Sequence, residues 1–241
     1  MHLLPPSLLL LLFAALRSAG PSALASAAED DAPLPRRLAC AGDSNTNKGY
    51  PAILESVLGE GWTADAYAAG AATVLDGTLR PYRRTDEYRS LLSSSPDVVI
   101  IMLGTNDARP LYWDEIGERD TDFEGTPSQE FKRGYLDLIR ELRGLDSAPE
   151  IFVATPPPIY PEKAAERRRE DLARRSDNLV GGVIPLIREV AAEAGGTTLV
   201  DVHGHMSASG GSADLTHDGV HYSSAGYRKM CGVFEAALIV D

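Results

Sequence analysis

Two short polar segments near opposite ends of the chain contain the residue types of nucleophilic catalysis. GDSN at 42–45 supplies a serine, and DGVH at 218–221 supplies an aspartate and a histidine. A serine hydroxyl becomes a good nucleophile when a histidine removes its proton, and a carboxylate orients that histidine and stabilises its charged form. Asp218 and His221 are three residues apart, so one turn can present both side chains at the same place. The sequence therefore predicts a catalytic triad of Ser44, His221 and Asp218.

A third polar segment, GTND at 104–107, places an amide side chain directly after an apolar run. When a serine attacks an ester carbonyl, negative charge develops on the carbonyl oxygen and needs hydrogen-bond donors. Loss of one such donor costs about 3–4 kcal/mol of transition-state stabilisation. The amide of Asn106 is a candidate donor, and the backbone N–H of Ser44 is a second.

These segments need a scaffold that brings them together, and the rest of the sequence predicts a layered α/β fold. Strand-like and helix-like segments alternate five times, and the clearest strand is the β-branched run DVVIIML. Such alternation is typical of a parallel sheet with helices on both faces, in which the loops after the strands share one edge. We expect a three-layer α/β/α sandwich with a mostly parallel, five-stranded sheet. Its strands are predicted at 37–41, 63–68, 97–103, 151–155 and 198–202.

Helices are expected between these strands. Thr126, Pro127 and Gln129 form a helix start with a capping residue and a proline in the first turn, and an apolar stripe follows from Phe131 to Leu142. Helical spacing also occurs at 50–58, at 85–92, at 162–194 with a break near Gly181 and Gly182, and from Ser223 or Ser224 to about Ile239.

The three polar segments, in this order, resemble sequence blocks of the SGNH (GDSL-like) hydrolases, a superfamily with a flavodoxin-like α/β/α fold. GDSN at 42–45 resembles the first block and GTND at 104–107 the third. DGVH at 218–221 resembles the fifth and is followed by SSAGY ahead of the last helix. The resemblance extends from residue 38 to about residue 238.

The resemblance implies a role for each of these side chains. Ser44 would be the nucleophile and His221 the base, with Asp218 orienting the histidine. Asn106 and the N–H of Ser44 would stabilise the oxyanion. No metal or other cofactor is needed for this chemistry, and none is expected.

The second block of the family is the least well matched. The family has a glycine after the second strand whose N–H completes the oxyanion hole, and the corresponding stretch here, at 68–73, reads AAGAAT. Gly70 matches that glycine, whereas a shift of one residue would place Ala71 there. Because the role requires only a backbone N–H, an alanine can serve if its dihedral angles allow it. Gly70 is the expected donor, and Ala71 is the alternative.

Several longer stretches are similar to the sialate O-acetylesterase-like branch, which acts on carbohydrates. This similarity implies an esterase that removes acetyl groups from sugar hydroxyls. A lipase, lysophospholipase or thioesterase, an acyl transferase and a non-catalytic carbohydrate-binding protein are the alternatives. The similar stretches are PYRRTDEYR (81–89), VVIIMLGTNDARP (98–110), VATPPPIY (153–160) and IPLIREVAAEAG (184–195).

The other histidines of the C-terminal region have less specific interpretations. His203 and His205, with Asp201, form an alternating pattern at a predicted strand end, which is too few ligands for a metal site. His217 precedes Asp218 and is a rival to His221 as the base. We expect no metal site.

Other polar and aromatic residues lie near the predicted site. Asp43 is expected to be a structural loop carboxylate. The mixed-charge run ERRREDLARR at 166–175 indicates a solvated helix face. Tyr112, Trp113 and Tyr160 follow strands, where stacking on a sugar and simple packing are equally compatible with the sequence.

Composition limits the partners. The formal net charge of −12 argues against nucleic acid, because proteins that bind it concentrate positive charge. A small-molecule or carbohydrate ester remains compatible with that charge. The oligomeric state cannot be read from the sequence.

The N-terminal segment predicts secretion. Residues 3–16 form an apolar run that is too short and proline-broken for a comfortable membrane span, and small residues up to Ala27 fit a signal-peptidase site. We expect a signal peptide at 1–27, cleaved near Ala25–Ala27, a polar lead-in at 28–36 and one hydrolase domain at 37–241. An uncleaved membrane anchor is the alternative to a secreted protein without stable membrane insertion.

The two cysteines are too few for a disulfide-built scaffold. Cys40 falls in a predicted core strand and Cys231 in the predicted last helix. Two buried free thiols are expected in preference to a bridge.

Overall fold

The computed structural model describes residues 34–47, 49–114, 124–208 and 213–239. A five-stranded sheet lies at its centre, and the strands are β1 (Arg36–Gly42), β2 (Trp62–Ala68), β3 (Val98–Met102), β4 (Glu150–Ala154) and β5 (Thr197–Val200). Their order is β2-β1-β3-β4-β5, and every neighbouring pair is parallel. The predicted parallel sheet of five strands is therefore confirmed.

The apolar run of β3 accounts for its position in the middle of the sheet. All five of its side chains are buried. Val99 and Ile101 pack in the cluster on one face, and Val98, Ile100 and Met102 pack in the cluster on the other. A strand covered on both faces has no solvent side, so its sequence is continuously apolar and does not alternate.

Helices cover both faces of the sheet, which confirms the three-layer sandwich. They are α1 (Ser44–Asn47), α2 (Tyr50–Leu58), α3 (Asp86–Leu92), α4 (Pro110–Trp113), α5 (Pro127–Arg143), α6 (Glu166–Asn178), α7 (Ile184–Ala194), α8 (Val202–Ala208) and α9 (Ser224–Leu238). Side chains of α3 to α7 belong to the core on one face. Side chains of α2, α8 and α9 belong to the core on the other.

The main departure from the predicted elements lies at the end of β5. The strand ends two residues earlier than expected, and the unpredicted α8 follows. Asp201 lies directly before this helix and caps it. Its carboxylate accepts the Gly204 N–H at 3.2 Å, and its carbonyl accepts the His205 N–H at 3.1 Å. The hydroxyl of Thr155 accepts the His203 N–H at 2.9 Å. The two histidines thus lie on a helix and not at a strand end.

The predicted helix starts are confirmed by their capping bonds. Thr126 Oγ1 accepts the Gln129 N–H at 3.3 Å, and the Gln129 side chain accepts the Thr126 N–H at 3.0 Å. At the start of α9, Ser223 Oγ accepts the Gly226 N–H at 3.3 Å. Each bond satisfies a backbone donor that has no partner within its own helix.

The long helical stretch predicted at 162–194 consists of α6 and α7, joined by a π-helical turn at Leu179–Val183. The predicted break near Gly181 and Gly182 lies within this turn. Gly182 lies against the ring of Trp113, and a Cβ at position 182 would come within 2.7 Å of its Nε1. The absence of a side chain at Gly182 allows α4 to pack closely on this turn.

The predicted signal peptide at 1–27 lies outside the described residues, as does the lead-in up to residue 33. β1 begins at Arg36, one residue before the predicted start of the domain, because the Arg36 N–H donates to the Gly61 carbonyl at 2.9 Å. Within the part of the chain that the structure describes, no helix has the length and apolar character to cross a membrane.

Cys40 and Cys231 are buried free thiols, as expected. Burial raises the pKa of each to about 12. Both thiols therefore stay protonated at neutral pH and act as small apolar side chains in the core.

We predict that Gly182→Ala lowers the free energy of unfolding by about 1–3 kcal/mol, because the new methyl group overpacks the contact with Trp113. Gly181→Ala is the matched control in the same turn, since a Cβ there meets nothing within 4 Å. Alanine is favoured over glycine in helices by about 1 kcal/mol, so the control should be as stable as the parent or more so. Urea unfolding measures both variants, and equal stability of the two would contradict the close approach of Trp113.

Candidate active site

The loop after β1 places Ser44 at the carboxyl edge of the sheet, where it is the first residue of α1. The buried carboxylate of Asp43 accepts the Asn45 N–H at 2.9 Å, and the Asp43 carbonyl accepts the Asn47 N–H at 2.9 Å. These bonds hold the tight turn from strand to helix and leave Ser44 partly exposed. Asp43 thus occupies a structural position in the loop.

Ser44 lies in a hydrogen-bonded chain with His221 and Asp218. Ser44 Oγ is 3.0 Å from His221 Nε2, although the two residues are 177 positions apart. His221 Nδ1 is 2.9 Å from Asp218 Oδ2. A carboxylate at Nδ1 favours the tautomer with its proton on that nitrogen, which leaves Nε2 free to accept the serine proton. The structure thus brings together the three side chains on which the predicted triad depends.

Asp218 is held in its ionised form. Its Oδ1 accepts the Val220 N–H at 3.1 Å and the His221 N–H at 2.9 Å. Partial burial acts to raise the pKa of Asp218, but these bonds and the His221 ring outweigh it and lower the pKa to about 2. The carboxylate is therefore available to His221 throughout the neutral pH range.

Gly219 anchors the turn that presents Asp218 and His221. Its φ is +83°, and a Cβ there would lie 2.2 Å from the carbonyl oxygen of Tyr160. The Gly219 carbonyl also accepts the Tyr160 N–H at 2.8 Å. Both the dihedral angle and the close backbone approach require glycine, so the turn is fixed against the loop that follows β4.

The side chain of Asn106 is buried, and its amide joins several loops. Its Nδ2 donates to the carbonyl of Ala72 at 3.0 Å and to Asp43 Oδ2 at 3.3 Å. Its Oδ1 accepts from the guanidinium of Arg175 at 3.0 Å. Because a guanidinium only donates, this contact determines which end of the amide is the oxygen. Nδ2 therefore faces the loops that follow β1 and β2.

Arg175 is a site residue that the sequence analysis missed. The expectation of a solvated face for 166–175 is wrong at this position, because Arg175 is only 4% exposed and also donates to the Thr105 carbonyl at 2.8 Å. A signal was present in the sequence. Arg175 lies between Leu172 and Leu179 at helical spacing, on the face that these buried leucines mark.

Burial changes the pKa of the two ionisable groups beside Asn106. It lowers the pKa of Arg175 to about 10, and the positive charge of Arg109 acts in the same direction. Burial raises the pKa of Asp43, although the Asn45 N–H opposes this shift. Asn106 therefore has a buried cation on its oxygen and a buried acid on its nitrogen, which polarises the amide.

Ala71, and not Gly70, lines the pocket beside Ser44. The Ala72 N–H donates to the Ala69 carbonyl at 3.1 Å, which closes a turn, and the φ of Ala71 is +62°. The third position of such a turn usually holds glycine, and the left-handed conformation costs an alanine about 1–2 kcal/mol. Ala71, the alternative that the sequence left open, thus lines the pocket, and which of the Gly70 and Ala71 N–H groups donates to an oxyanion stays a prediction.

Asp107 connects the loops that follow β2 and β3. Its Oδ1 accepts the N–H groups of Val74 at 2.8 Å and Leu75 at 2.9 Å, while its Oδ2 is buried without a hydrogen-bond partner. Burial raises the pKa of Asp107 to about 7, even though the two N–H donors act in the opposite direction. Its role in the structure is to hold the loop that contains Ala71.

The residues brought together in this way enclose a small pocket of about 160 Å³. It contains the Ser44–His221 pair, Asn106 and several arginines. Its lining consists of Ser44, Ala71, Asn106, Arg109, Arg168, Arg175, Val220 and His221.

His217 and His203 contact groups other than Ser44. His217 is exposed, and its backbone N–H donates to the His221 carbonyl at 2.9 Å. His203 Nδ1 is 3.3 Å from the carbonyl oxygen of Pro156, and burial lowers the pKa of His203. In the described ranges, no group of three or more His, Cys, Asp or Glu residues is placed to hold a metal ion.

Two of the three aromatic residues that the sequence left open are packing residues. Tyr112 is buried. Trp113 packs edge-on against Phe131, with ring centroids 5.8 Å apart. Tyr160 is half-buried, and its backbone supports Gly219.

Comparison with known proteins identifies relatives over most of the chain. The model of the GDSL-like Lipase/Acylhydrolase family matches residues 38–229. An acetylxylan esterase of Xylanibacter ruminicola is 29% identical over 220 residues. That alignment covers 84% of this chain and 43% of the relative, so this chain spans less than half of the relative's length.

Solved structures share the fold at lower identity. The native aryl esterase of M. smegmatis is 19% identical with a TM-score of 0.62, covering 84% of this chain and 98% of its own. Est24, a carbohydrate acetylesterase from Sinorhizobium meliloti, is 19% identical with a TM-score of 0.58, covering 84% of this chain and 98% of its own. At this identity the likeness concerns the fold.

We predict that Asp107 makes the protein less stable as the pH rises from about 4 to about 7. Its pKa is higher in the folded than in the unfolded chain, so the folded state binds the proton more tightly in this window. The free energy of unfolding therefore falls by about 1.4 kcal/mol per pH unit from this group. Asp107→Asn keeps an acceptor for both N–H groups and removes the titration.

Urea unfolding at pH 5 and pH 8 measures this effect. The parent should lose about 2.5–3 kcal/mol more than Asp107→Asn between the two values. Equal losses in the two proteins would mean that Asp107 is already ionised at pH 5.

Proposed function

The chain belongs to the GDSL-like lipase/acylhydrolase family, and we propose that it is a serine esterase that hydrolyses small acyl esters, in particular acetyl esters of carbohydrates. The observation that carries this proposal is the continuous chain of hydrogen bonds from Ser44 through His221 to Asp218. Ser44 and His221 line a pocket that is also lined by Asn106.

The contacts support a two-step mechanism. His221 Nε2 accepts the proton of Ser44 Oγ as this oxygen attacks the ester carbonyl, and the new C–O bond gives a tetrahedral oxyanion. When the oxyanion collapses, the bond to the alcohol breaks and His221 returns the proton to the leaving oxygen. Water activated by the same histidine then hydrolyses the acyl-serine, which releases the acid. Asp218, ionised at neutral pH, stabilises the imidazolium in both steps.

Three donors are proposed for the oxyanion: the N–H groups of Ser44 and Ala71 and the Nδ2 of Asn106. In the structure this Nδ2 donates to Ala72 at 3.0 Å and to Asp43 at 3.3 Å. The contact with Asp43 is the longer of the two, so it is the one for which a bound oxyanion competes. The contact with Ala72 keeps the amide in place during that exchange.

A small acyl group on a carbohydrate fits the size of the pocket and the nature of the relatives. Among the described residues that line it, the pocket of about 160 Å³ shows no extended apolar channel, which favours acetyl over long acyl chains. The 29% identical relative is named as an acetylxylan esterase. The signal peptide predicted at 1–27 accords with an extracellular polysaccharide substrate, so secretion is part of this proposal.

The first test is hydrolysis of p-nitrophenyl acetate, butyrate and octanoate by the protein and by Ser44→Ala. We predict that kcat/KM falls with chain length and that Ser44→Ala lowers it by at least about 1,000-fold. His221→Ala should be similarly impaired, whereas His217→Ala, which changes an exposed histidine, should retain the parent's activity. Acetate release from acetylated xylan then tests the carbohydrate part of the proposal.

Each other result points to a specific alternative. Preference for octanoate would indicate a lipase-type enzyme. Transfer of acetyl to an added sugar without matching acid release would indicate a transferase. Equal rates in the parent and Ser44→Ala would remove Ser44 from the mechanism.

A second test distinguishes Ala71 from Gly70 as the oxyanion donor. Gly70 occupies the second position of its turn, where proline is favoured, and its N–H makes no hydrogen bond to another residue in the described part of the chain. We predict that Gly70→Pro, which removes this N–H, retains kcat within about 5-fold. Asn106→Ala should lose about 100- to 1,000-fold.

Gly70→Ala, which keeps the N–H, is the control for the shape of the turn. If Gly70→Pro loses as much activity as Asn106→Ala while Gly70→Ala does not, the oxyanion donor is Gly70.

A further inference from the structure

The pocket beside Ser44 is positively charged in a protein of the opposite sign. The chain has a formal net charge of −12. Three arginines line the pocket, Arg109, Arg168 and Arg175, and the described lining residues include no carboxylate. Chemistry on a neutral acetyl ester does not require three cations at its pocket, so their position needs a separate explanation.

One of the three cations has a structural role within the protein. Arg175 is buried and donates to Thr105 and Asn106. Arg109 and Arg168 differ from it, because neither guanidinium has a hydrogen bond or ion pair with another described residue. By contrast Arg174, on the same helix as Arg168, pairs with Asp114 at 2.5 Å.

The backbone explains why Arg109 and Arg168 both reach the pocket. Arg109 precedes α4, and its N–H donates to the Asn106 carbonyl at 3.2 Å, so it follows the Asn106 loop directly. Arg168 precedes Arg175 by seven residues, which is two turns of α6 and therefore the same helix face. The position of Arg175 beside Asn106 thus brings Arg168 into the lining of the pocket.

The charges are close enough to influence one another. Burial is the largest cause that lowers the pKa of Arg175. The charge of Arg109 is the next and Arg168 adds to it, while the carboxylates of Asp43 and Asp171 act in the opposite direction. Mutual repulsion of like charges destabilises such a cluster. An anion bound between the guanidinium groups of Arg109 and Arg168 relieves that repulsion and gains charge-assisted hydrogen bonds.

We propose that Arg109 and Arg168 form a subsite for an anionic group, a carboxylate, on the alcohol half of the ester. This inference rests on the proposed esterase function. The charge belongs to the alcohol half because the proposed acyl group, acetyl, is neutral. The substrate class is then an acetylated acidic sugar or a related hydroxy acid, and its carboxylate matches the planar fork of a guanidinium.

The test uses a matched pair of acetyl esters, 4-acetoxybenzoate and its neutral methyl ester. Both are assayed with the parent, Arg109→Gln, Arg168→Gln and the double variant. Arg169→Gln is the control, because Arg169 is an exposed cation on the same helix that does not line the pocket. The measured quantity is the ratio of kcat/KM for the anionic ester to kcat/KM for the neutral ester.

We expect each single variant to lower this ratio by about 10-fold and the double variant by more, as for the loss of a hydrogen bond to a charged group. Arg169→Gln should leave the ratio at the parent value. Sodium chloride should lower kcat/KM for the anionic ester of the parent more than for the neutral ester, because salt screens exposed charges.

Two results would overturn the subsite. Equal losses on both esters would mean that the arginines act on the shared reaction centre or on the fold, and no change in the ratio would mean that they do not contact the substrate. Failure of the proposed function is a different result, because neither ester would then be hydrolysed in a Ser44-dependent way. In that case, calorimetric titration of Ser44→Ala with 4-acetoxybenzoate and its methyl ester still tests the subsite. Binding that favours the anion and is lost in the double arginine variant supports it, and equal binding of the two esters contradicts it.

Discussion

The buried amide of Asn106 is the contact on which the arrangement of the site depends. It bonds to Asp43 in the loop after β1, to Ala72 in the loop after β2 and to Arg175 on α6, while it belongs itself to the loop after β3. All of these groups are removed from water, so a broken bond would leave an unpaired polar group in the interior. The loops that carry Ser44 and Ala71 are therefore held in one geometry.

Exposure to water divides the carboxylates around the site into two kinds. Asp43 and Asp107 are buried, and burial raises the pKa of both. They hold loops together through backbone N–H groups. Asp218 is only partly buried, and hydrogen bonds lower its pKa to about 2. Of these three carboxylates, Asp218 is the one hydrogen-bonded to His221.

Helix α6 places a buried arginine and a pocket-lining arginine on the same face. Arg175 donates to Asn106, and Arg168, two turns earlier, lines the pocket. The π-helical turn at Leu179–Val183 and the side-chain-free Gly182 let this helix system pack closely on Trp113 of α4. The packing of Gly182 on Trp113 thus contributes to where α6 places the charge of Arg168.

Local pattern was sufficient for most of the fold and for four of the site residues. The β-branched run of β3, the capping residue Thr126 and the polar segments containing Ser44, Asn106, Asp218 and His221 all depend on short-range chemistry, which sequence records directly. Helix α8, the position of Ala71 in the lining of the pocket and the burial of Arg175 were decided only by tertiary structure. The conformation of a turn and the solvation of an arginine depend on neighbours that are remote in sequence, such as the loop of Asn106, 69 residues from Arg175. The sequence thus determined which chemistry is available, and tertiary packing decided which turn residue and which cations line the pocket.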